Sequence, residues 1–198
     1  LDGFYNISGE QPLKNDAYRL WLCAPAKDYG LLNTAWRAVA NTRLKDWGAI
    51  SEDYNGGAGT LCGMAGMIKL GAAEFYGQIL TPALTCLSRN STIEVSFDMC
   101  AFTGDGLKAQ DPRDAVVKVI EDARIGQNGG MRQALVSGKE EQVRTFEISD
   151  NVSNFTRYTF TFENVKPGSR IAIGTTRPAG GKDGHRRAFL DNVQIILK

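Results

Sequence analysis

The sequence predicts an all-β fold, a sandwich of two packed antiparallel sheets, and three observations carry that expectation. Ser91–Asp98 (STIEVSFD) alternates without a break: Ile93, Val95 and Phe97 share one face, and Thr92, Glu94, Ser96 and Asp98 the other. Tyr158–Phe162 (YTFTF) repeats the pattern, with Tyr158, Phe160 and Phe162 opposing Thr159 and Thr161. Period-two alternation places one face of a strand in a core and the other in solvent. The third observation is that clusters of Gly, Pro, Asn and Asp separate such runs, as the short strands of a sandwich or barrel require.

Taken in order, Tyr18–Cys23 (YRLWLC) reads as a strand. Asn33–Lys45 reads as a short helix or a long loop, and Ser51–Gly59 (SEDYNGGAG) as loop. From about Met67 onward strands dominate. Val116–Ile120, Val143–Ile148, Arg170–Thr175 and Phe189–Leu197 are β-rich runs beyond the two alternating ones. Turn chemistry divides them at Thr103–Gly106 (TGDG), Gln127–Gly130 (QNGG), Lys166–Ser169 (KPGS) and Pro178–Gly184 (PAGGKDG). There is no βαβ alternation, internal repeat or low-complexity tract.

A length of 198 residues suits one large domain. The expected organisation is a single domain over 1–198 with its core at about 45–198. Residues 1–44 form an N-terminal strand and loop extension that belongs in part to a neighbouring module, with a linker near 10–16 (EQPLKND). With 42% hydrophobic and 23% charged residues, the chain has the composition of an ordered globular core. Its 23 basic and 22 acidic residues nearly cancel, which argues against a nucleic-acid binder. No apolar run approaches the ~20 residues that span a bilayer. The chain begins at Leu1 rather than Met, so a processed product or an excised domain is expected.

The four cysteines, Cys23, Cys62, Cys86 and Cys100, allow three pairings, and buried free thiols acting as small apolar residues are the competing reading. With no CxxC and one histidine, a zinc site has little support.

Catalytic signatures are missing in kind. Gly56–Gly63 (GGAGTLCG) misses the GxGxxG spacing and lacks a GK[ST] ending, so it reads as a flexible loop. His185 sits in a Gly- and Arg-rich turn, and no GxSxG elbow accompanies it. The acid pairs Glu52/Asp53, Glu121/Asp122 and Glu140/Glu141 are adjacent in sequence, and neighbours on a strand point to opposite faces. Asp105, Asp111 and Asp114 lack the spacing of an EF-hand loop. Arg177, Lys182, His185, Arg186 and Arg187 form a basic cluster whose ordinary role is a solvated loop.

A series of segments resembles a known fold group. Met67–Gly71 (MIKLG), Gly77–Leu84 (GQILTPAL) and Ile93–Phe97 are followed by Tyr158–Phe162, Arg170–Ile173 and Ala188–Val193 (AFLDNV). Over about 45–198 this order resembles the galactose-binding-domain-like jelly rolls, among them carbohydrate-binding modules and adhesin-type domains of bacterial surface proteins. The resemblance implies a jelly-roll β-sandwich, secreted or displayed at the cell surface, within a multidomain protein. It also implies a structural calcium ion (Ca2+), with Asp191 as a ligand in the aromatic–x–Asp–x–Val pattern of the last strand. The residues agree with an engaged carboxylate, because Asp191 shares strand parity with Phe189, Val193, Ile195 and Leu197. A carboxylate on an apolar side must be paired, hydrogen-bonded or metal-bound.

Sugar-binding members stack pyranose rings on aromatic side chains, on the concave sheet or in the loops at one end. Trp47, Tyr54 and Tyr76 are the first candidates for a carbohydrate site, and Trp36, Phe75 and Phe102 are further ones. The alternative for each is a cap on the core. The functional expectation is thus a non-catalytic module that binds a glycan or a surface protein. Set against it are a purely structural or protein-interaction sandwich and a polysaccharide hydrolase. The last requires two carboxylates roughly 5–10 Å apart across a cleft.

Overall fold

The computed structural model describes residues 19–21, 48–51, 61–64, 67–71, 76–101, 113–128, 131–149, 155–177 and 187–198. The elements among them are all strands: β1 (Arg19–Trp21), β2 (Gly48–Ser51), β3 (Leu61–Met64), β4 (Met67–Leu70), β5 (Gly77–Leu80), β6 (Ser91–Ala101), β7 (Asp114–Asn128), β8 (Met131–Glu147), β9 (Thr156–Val165), β10 (Arg170–Thr175) and β11 (Ala188–Leu197). Sheet 1 is six-stranded in the order β1-β3-β4-β11-β6-β9, and every pair in it is antiparallel. Sheet 2 runs β10-β5-β2-β8-β7 and closes, because β7 also pairs with β10.

The core between the sheets follows the alternation that the sequence displays. Ile93, Val95, Phe97 and Met99 of β6 face Ile79 of β5, Val117 and Val119 of β7, and Ile171 and Ile173 of β10, all at most 1% exposed. Phe146 of β8 crosses the gap to ring distances of 5.8 Å from Phe97, 4.9 Å from Tyr158 and 5.1 Å from Phe160. Aromatic contacts of this kind add to the area that each ring removes from water.

The expectation of an all-β protein with two packed sheets holds, but sheet 2 is not a simple open antiparallel layer. β7 and β8 form a hairpin of 15 and 17 residues, with register shifts at four places and Asp122 in the left-handed region at φ 52°. Bulges sharpen twist and bend a ribbon. The bent hairpin brings Ala134 beside Ala49, and this one parallel pairing of β8 with β2 closes a five-stranded barrel. The barrel has its own apolar cluster of Ile50, Leu80, Ile120 and Ala172, against which Ala123, Ile125 and Leu135 pack. β7 is therefore buried on both faces from Ala115 to Glu121, which accounts for its continuous VVKVI.

Two local features join β5 and the segment after it to β10 within sheet 2. A Cβ on Gly174 would lie 2.2 Å from the Gly77 carbonyl oxygen and 2.6 Å from the Gln78 Cα, so only glycine lets β10 approach β5 there. Pro82, which has no N–H, follows Thr81, whose hydroxyl accepts the Ile171 N–H at 2.9 Å while its backbone N–H reaches the Ile171 carbonyl. The GQILTPAL segment is thereby stitched to β10.

Some local expectations are corrected. Leu61–Gly63, read as part of a flexible glycine-rich loop, belongs to β3, and Ser51 ends β2. The KPGS turn is present, with Gly168 at φ 80°. The readings of 33–45 and of the TGDG and PAGGKDG turns lie outside the described residues, as does all of 52–59.

Candidate functional site

The outer face of sheet 1 carries the densest polar arrangement among the described residues. Since Ile93, Val95, Phe97 and Met99 of β6 point inward, Glu94, Ser96 and Asp98 point outward. On β9 the outward set is Arg157, Thr159 and Thr161, all exposed, while Tyr158, Phe160 and Phe162 pack inward. Register places Asp98 directly between Arg157 and Asp191. Two carboxylates opposite each other repel, and Asp98 is relieved from its other side. Arg157 Nη1 donates to Asp98 Oδ1 at 3.1 Å, and Asn192 Nδ2 donates to Asp98 Oδ2 at 2.7 Å.

Arg157 is the hub. Besides Asp98, its Nη1 donates to the Asn192 carbonyl at 2.8 Å, and its Nη2 donates to Ser96 Oγ at 2.7 Å and to Gln194 Oε1 at 3.4 Å. A guanidinium suits this role because its donors are fixed in a plane. The hub spans β9, β6 and β11 at the point where β11 is irregular. Asn192 adopts φ 49°, and the pairing register shifts between Asp191 and Gln194. Asn tolerates the left-handed region better than most residues.

That irregularity changes the reading of Asp191. Ala188 and Leu190 are buried before it and Val193 after it, so the inward parity switches within β11. Asp191 shares a face with Phe189 but not with Val193 or Ile195. Its carboxylate is half-buried on the outer face, and Oδ1 accepts the Asn192 N–H at 2.7 Å. The buried carboxylate expected from uniform parity is therefore corrected. The surroundings also bear on calcium, which takes six to eight oxygen ligands. Both oxygens of Asp98 are engaged, one by a guanidinium that would repel a cation, and no group of three or more metal-binding side chains occurs among the described residues. The described donor set does not fit calcium.

Of the aromatic candidates, Tyr76 is half-buried and packs against the barrel cluster of Ile50, Leu80, Ile120 and Ala172. Trp47, Tyr54, Trp36, Phe75 and Phe102 lie outside the described residues, as does His185. The sequence reading passed over Phe155, which is 40% exposed and immediately precedes β9 with the parity of Arg157. It also passed over the Arg157 hub. The polar alternation of β6 and β9 was visible, but the register that brings Ser96, Asp98 and Arg157 together was not.

The acid pairs within the described residues are held as separate ion pairs. Glu121 pairs with Lys166 at 2.6 Å, Glu140 with the buried Lys118, and Glu141 with Lys139. The Lys139 contact holds the Glu141 carboxyl below its usual range, and Glu121 raises the Lys166 ammonium. At longer range Lys166 also lowers Glu141, and Glu121 also raises Lys139. A cleft of about 320 Å³ opens at one end of the sandwich beside Pro82, Leu84, Leu87, Ile93, Ile195 and Leu197. Its walls are mainly apolar and lack the array of polar groups that sugar hydroxyls need. Among the described residues no helix is long and apolar enough to cross a membrane.

No family model matches the chain, and no curated protein matches it. Among solved structures it is similar to a family 16 carbohydrate-binding module at 10% identity and a TM-score of 0.40, over 69% of this chain and 85% of that one. It is similar to the CBM35 module of Paenibacillus barcinonensis at 15% identity and a TM-score of 0.37, over 78% and 95%. An adhesin domain of Lys-gingipain from Porphyromonas gingivalis aligns at 13% identity and a TM-score of 0.41, over 78% and 92%. Carbohydrate-binding modules and an adhesin domain are thus among the structures this chain is similar to.

Proposed function

We propose that the chain is a jelly-roll module of a larger secreted or cell-surface protein, non-catalytic, and that it binds glycan through the outer face of sheet 1. One observation supports this reading most directly. Asp98, Arg157, Asp191, Asn192 and Gln194 sit together on an open sheet face, beside the exposed Thr159 and near Phe155. Fixed carboxylate, amide and hydroxyl groups are what sugar hydroxyls recognise, and an exposed ring offers a surface for pyranose C–H groups. The concave face of sheet 2, the other place for such a site, is closed by the hairpin and filled by Leu80, Ile120 and Ala172.

Asp191 is the ligand-facing acceptor in this reading, because among the described residues the Asn192 N–H engages only its Oδ1. A glycan array on the wild type, followed by titration of the best binder, tests the proposal. Asp191→Ala is expected to weaken affinity by about tenfold, equivalent to ~1.4 kcal/mol, while the fold stays intact at a cost of about 0.5–1.5 kcal/mol.

A structural or protein-interaction module is the second reading, and Arg157 favours it. Its Nη1 and Nη2 make four hydrogen bonds within the sheet, as in a purely structural brace. A blank array selects this second reading.

A further inference from the structure

On the outer face of sheet 1, two cations are committed to carboxylates of the same sheet. The Arg157 guanidinium carries two hydrogens on each terminal nitrogen, and all four are met internally. Nη1 donates to Asp98 Oδ1 and the Asn192 carbonyl, and Nη2 to Ser96 Oγ and Gln194 Oε1. A carboxylate or sulfate on a ligand is best held by two parallel guanidinium N–H groups, and Arg157 has spent that fork on its own sheet. Its charge is answered too, because Asp98 lies 3.1 Å away. Lys198 is likewise paired, to Glu94 of β6 at 2.7 Å.

Asp191 tips this balance. Register sets it directly opposite Asp98, half-buried on the same face, and the donor that meets its Oδ1 is a neutral group, the Asn192 backbone N–H. The cross-strand row Arg157–Asp98–Asp191 therefore holds two negative charges and one positive. Half-burial matters here, because salt screens a partly buried charge less than a fully exposed one. A sugar hydroxyl can donate to such a carboxylate. A sugar carboxylate or sulfate at neutral pH has no proton to give and meets like charge at contact distance.

We infer that this face selects glycans that carry no negative charge, and that Asp191 is the residue that sets the selection. The selection rests on the glycan reading of sheet 1 and adds to it the class of sugar. Chains of neutral sugars are accepted, and chains of uronic acids or sulfated sugars are refused.

Calorimetric titration with matched sugars tests this. Oligomers of glucose, mannose and galactose are compared with their polyuronate counterparts, in which each hydroxymethyl group is oxidised to a carboxylate. At low ionic strength the wild type is expected to bind a neutral oligomer at least about tenfold more tightly than its counterpart, and added salt should narrow the gap. Asp191→Asn keeps an amide oxygen for the Asn192 N–H and removes the charge. It should hold the neutral affinity within about threefold, because a sugar hydroxyl accepts from an amide as well as donating to a carboxylate. It should raise polyuronate affinity at least about tenfold. The salt series on wild type needs no variant, so the test stands if Asp191→Asn folds poorly. Polyuronate binding as tight as neutral binding overturns the selection and leaves the glycan reading standing. So does a gap that salt and Asp191→Asn both leave unchanged, because another group then sets it. A wild type that binds no oligomer of either kind and gives a blank glycan array overturns the glycan reading itself, and the selection with it.

Discussion

The side-chain amide of Gln142 stands in for a strand against Glu163: Nε2 donates to the Glu163 carbonyl at 2.6 Å and Oε1 accepts the Glu163 N–H at 3.1 Å. This clasp joins β8 of one sheet to the edge of β9 in the other. It requires Gln142 at φ 46°, in the left-handed region. Close by, the Arg144 guanidinium lies 5.7 Å from the Phe162 ring centroid, a cation–π contact on the same seam.

Two substitutions separate the clasp from its backbone strain. Gln142→Ala loses both hydrogen bonds and keeps the unfavourable φ, so it should cost about 1 kcal/mol, an exposed and therefore modest value. Gln142→Gly loses the same bonds but relieves a left-handed conformation worth about 1 kcal/mol. It should therefore lie close to wild type. Urea unfolding measures both, and equal destabilisation of the two variants would mean that the backbone strain contributes nothing.

The packing between the sheets gives a larger effect. Phe97 is fully buried, with ring centroids of Phe146, Tyr158 and Phe160 within about 6 Å. Phe97→Ala should cost about 3–5 kcal/mol. Phe155→Ala, at a ring 40% exposed, should cost less than about 0.5 kcal/mol. Chemical denaturation of the pair checks this, and similar losses for both would place Phe155 in the core and remove it from the proposed glycan surface.

The strands were legible because burial writes a period of two into them. STIEVSFD and YTFTF each face one core and one solvent side, and the structure keeps those faces. The closed barrel was not legible, because it depends on where β7 and β8 bend and on the one paired position of Ala134 with Ala49. Its trace in the sequence is VVKVI, a strand buried on both faces, which periodicity alone does not assign. Asp191 was misread for a related reason. A one-residue irregularity reverses every later side chain, and parity counted from Phe189 to Leu197 ran straight across it. The Asp98–Arg157 pair joins residues 59 apart in sequence, a distance at which no local pattern predicts pairing.

The position of Asp191 fixes an order of stabilities. Asp191→Ala removes one half-exposed acceptor and should cost about 0.5–1.5 kcal/mol. Asn192→Ala removes the amide that donates to Asp98 and also forces a left-handed φ on alanine, so about 1–3 kcal/mol is expected. Thermal melts with and without chelator complete the test. The described donor set does not fit calcium, so chelator should leave the melting temperature of wild type and Asp191→Ala alike. A drop confined to the wild type would show that Asp191 belongs to a calcium site completed by ligands outside the described residues.

Cys86 and Cys100 should differ sharply in reactivity. Cys86 is an exposed free thiol, whereas Cys100 is only 4% exposed on β6. Burial pushes the Cys100 thiol above its ordinary pKa, because the thiolate loses hydration that the neutral thiol hardly needs. Only the thiolate attacks an alkylating agent, so near pH 8 Cys86 should label rapidly and Cys100 slowly. The sign for stability follows from the same shift. A raised folded-state value means that the protonated thiol favours the fold below the ordinary range near ~8.5. That contribution is lost as pH rises through the folded-state value. Cys100→Ala should therefore flatten stability against pH above ~8.5. Peptide-level mass spectrometry of iodoacetamide labelling reads the first effect, and urea midpoints across alkaline pH read the second. Labelling of Cys100 as fast as Cys86 in the native protein, rather than only in denaturant, would show that β6 opens locally around Cys100.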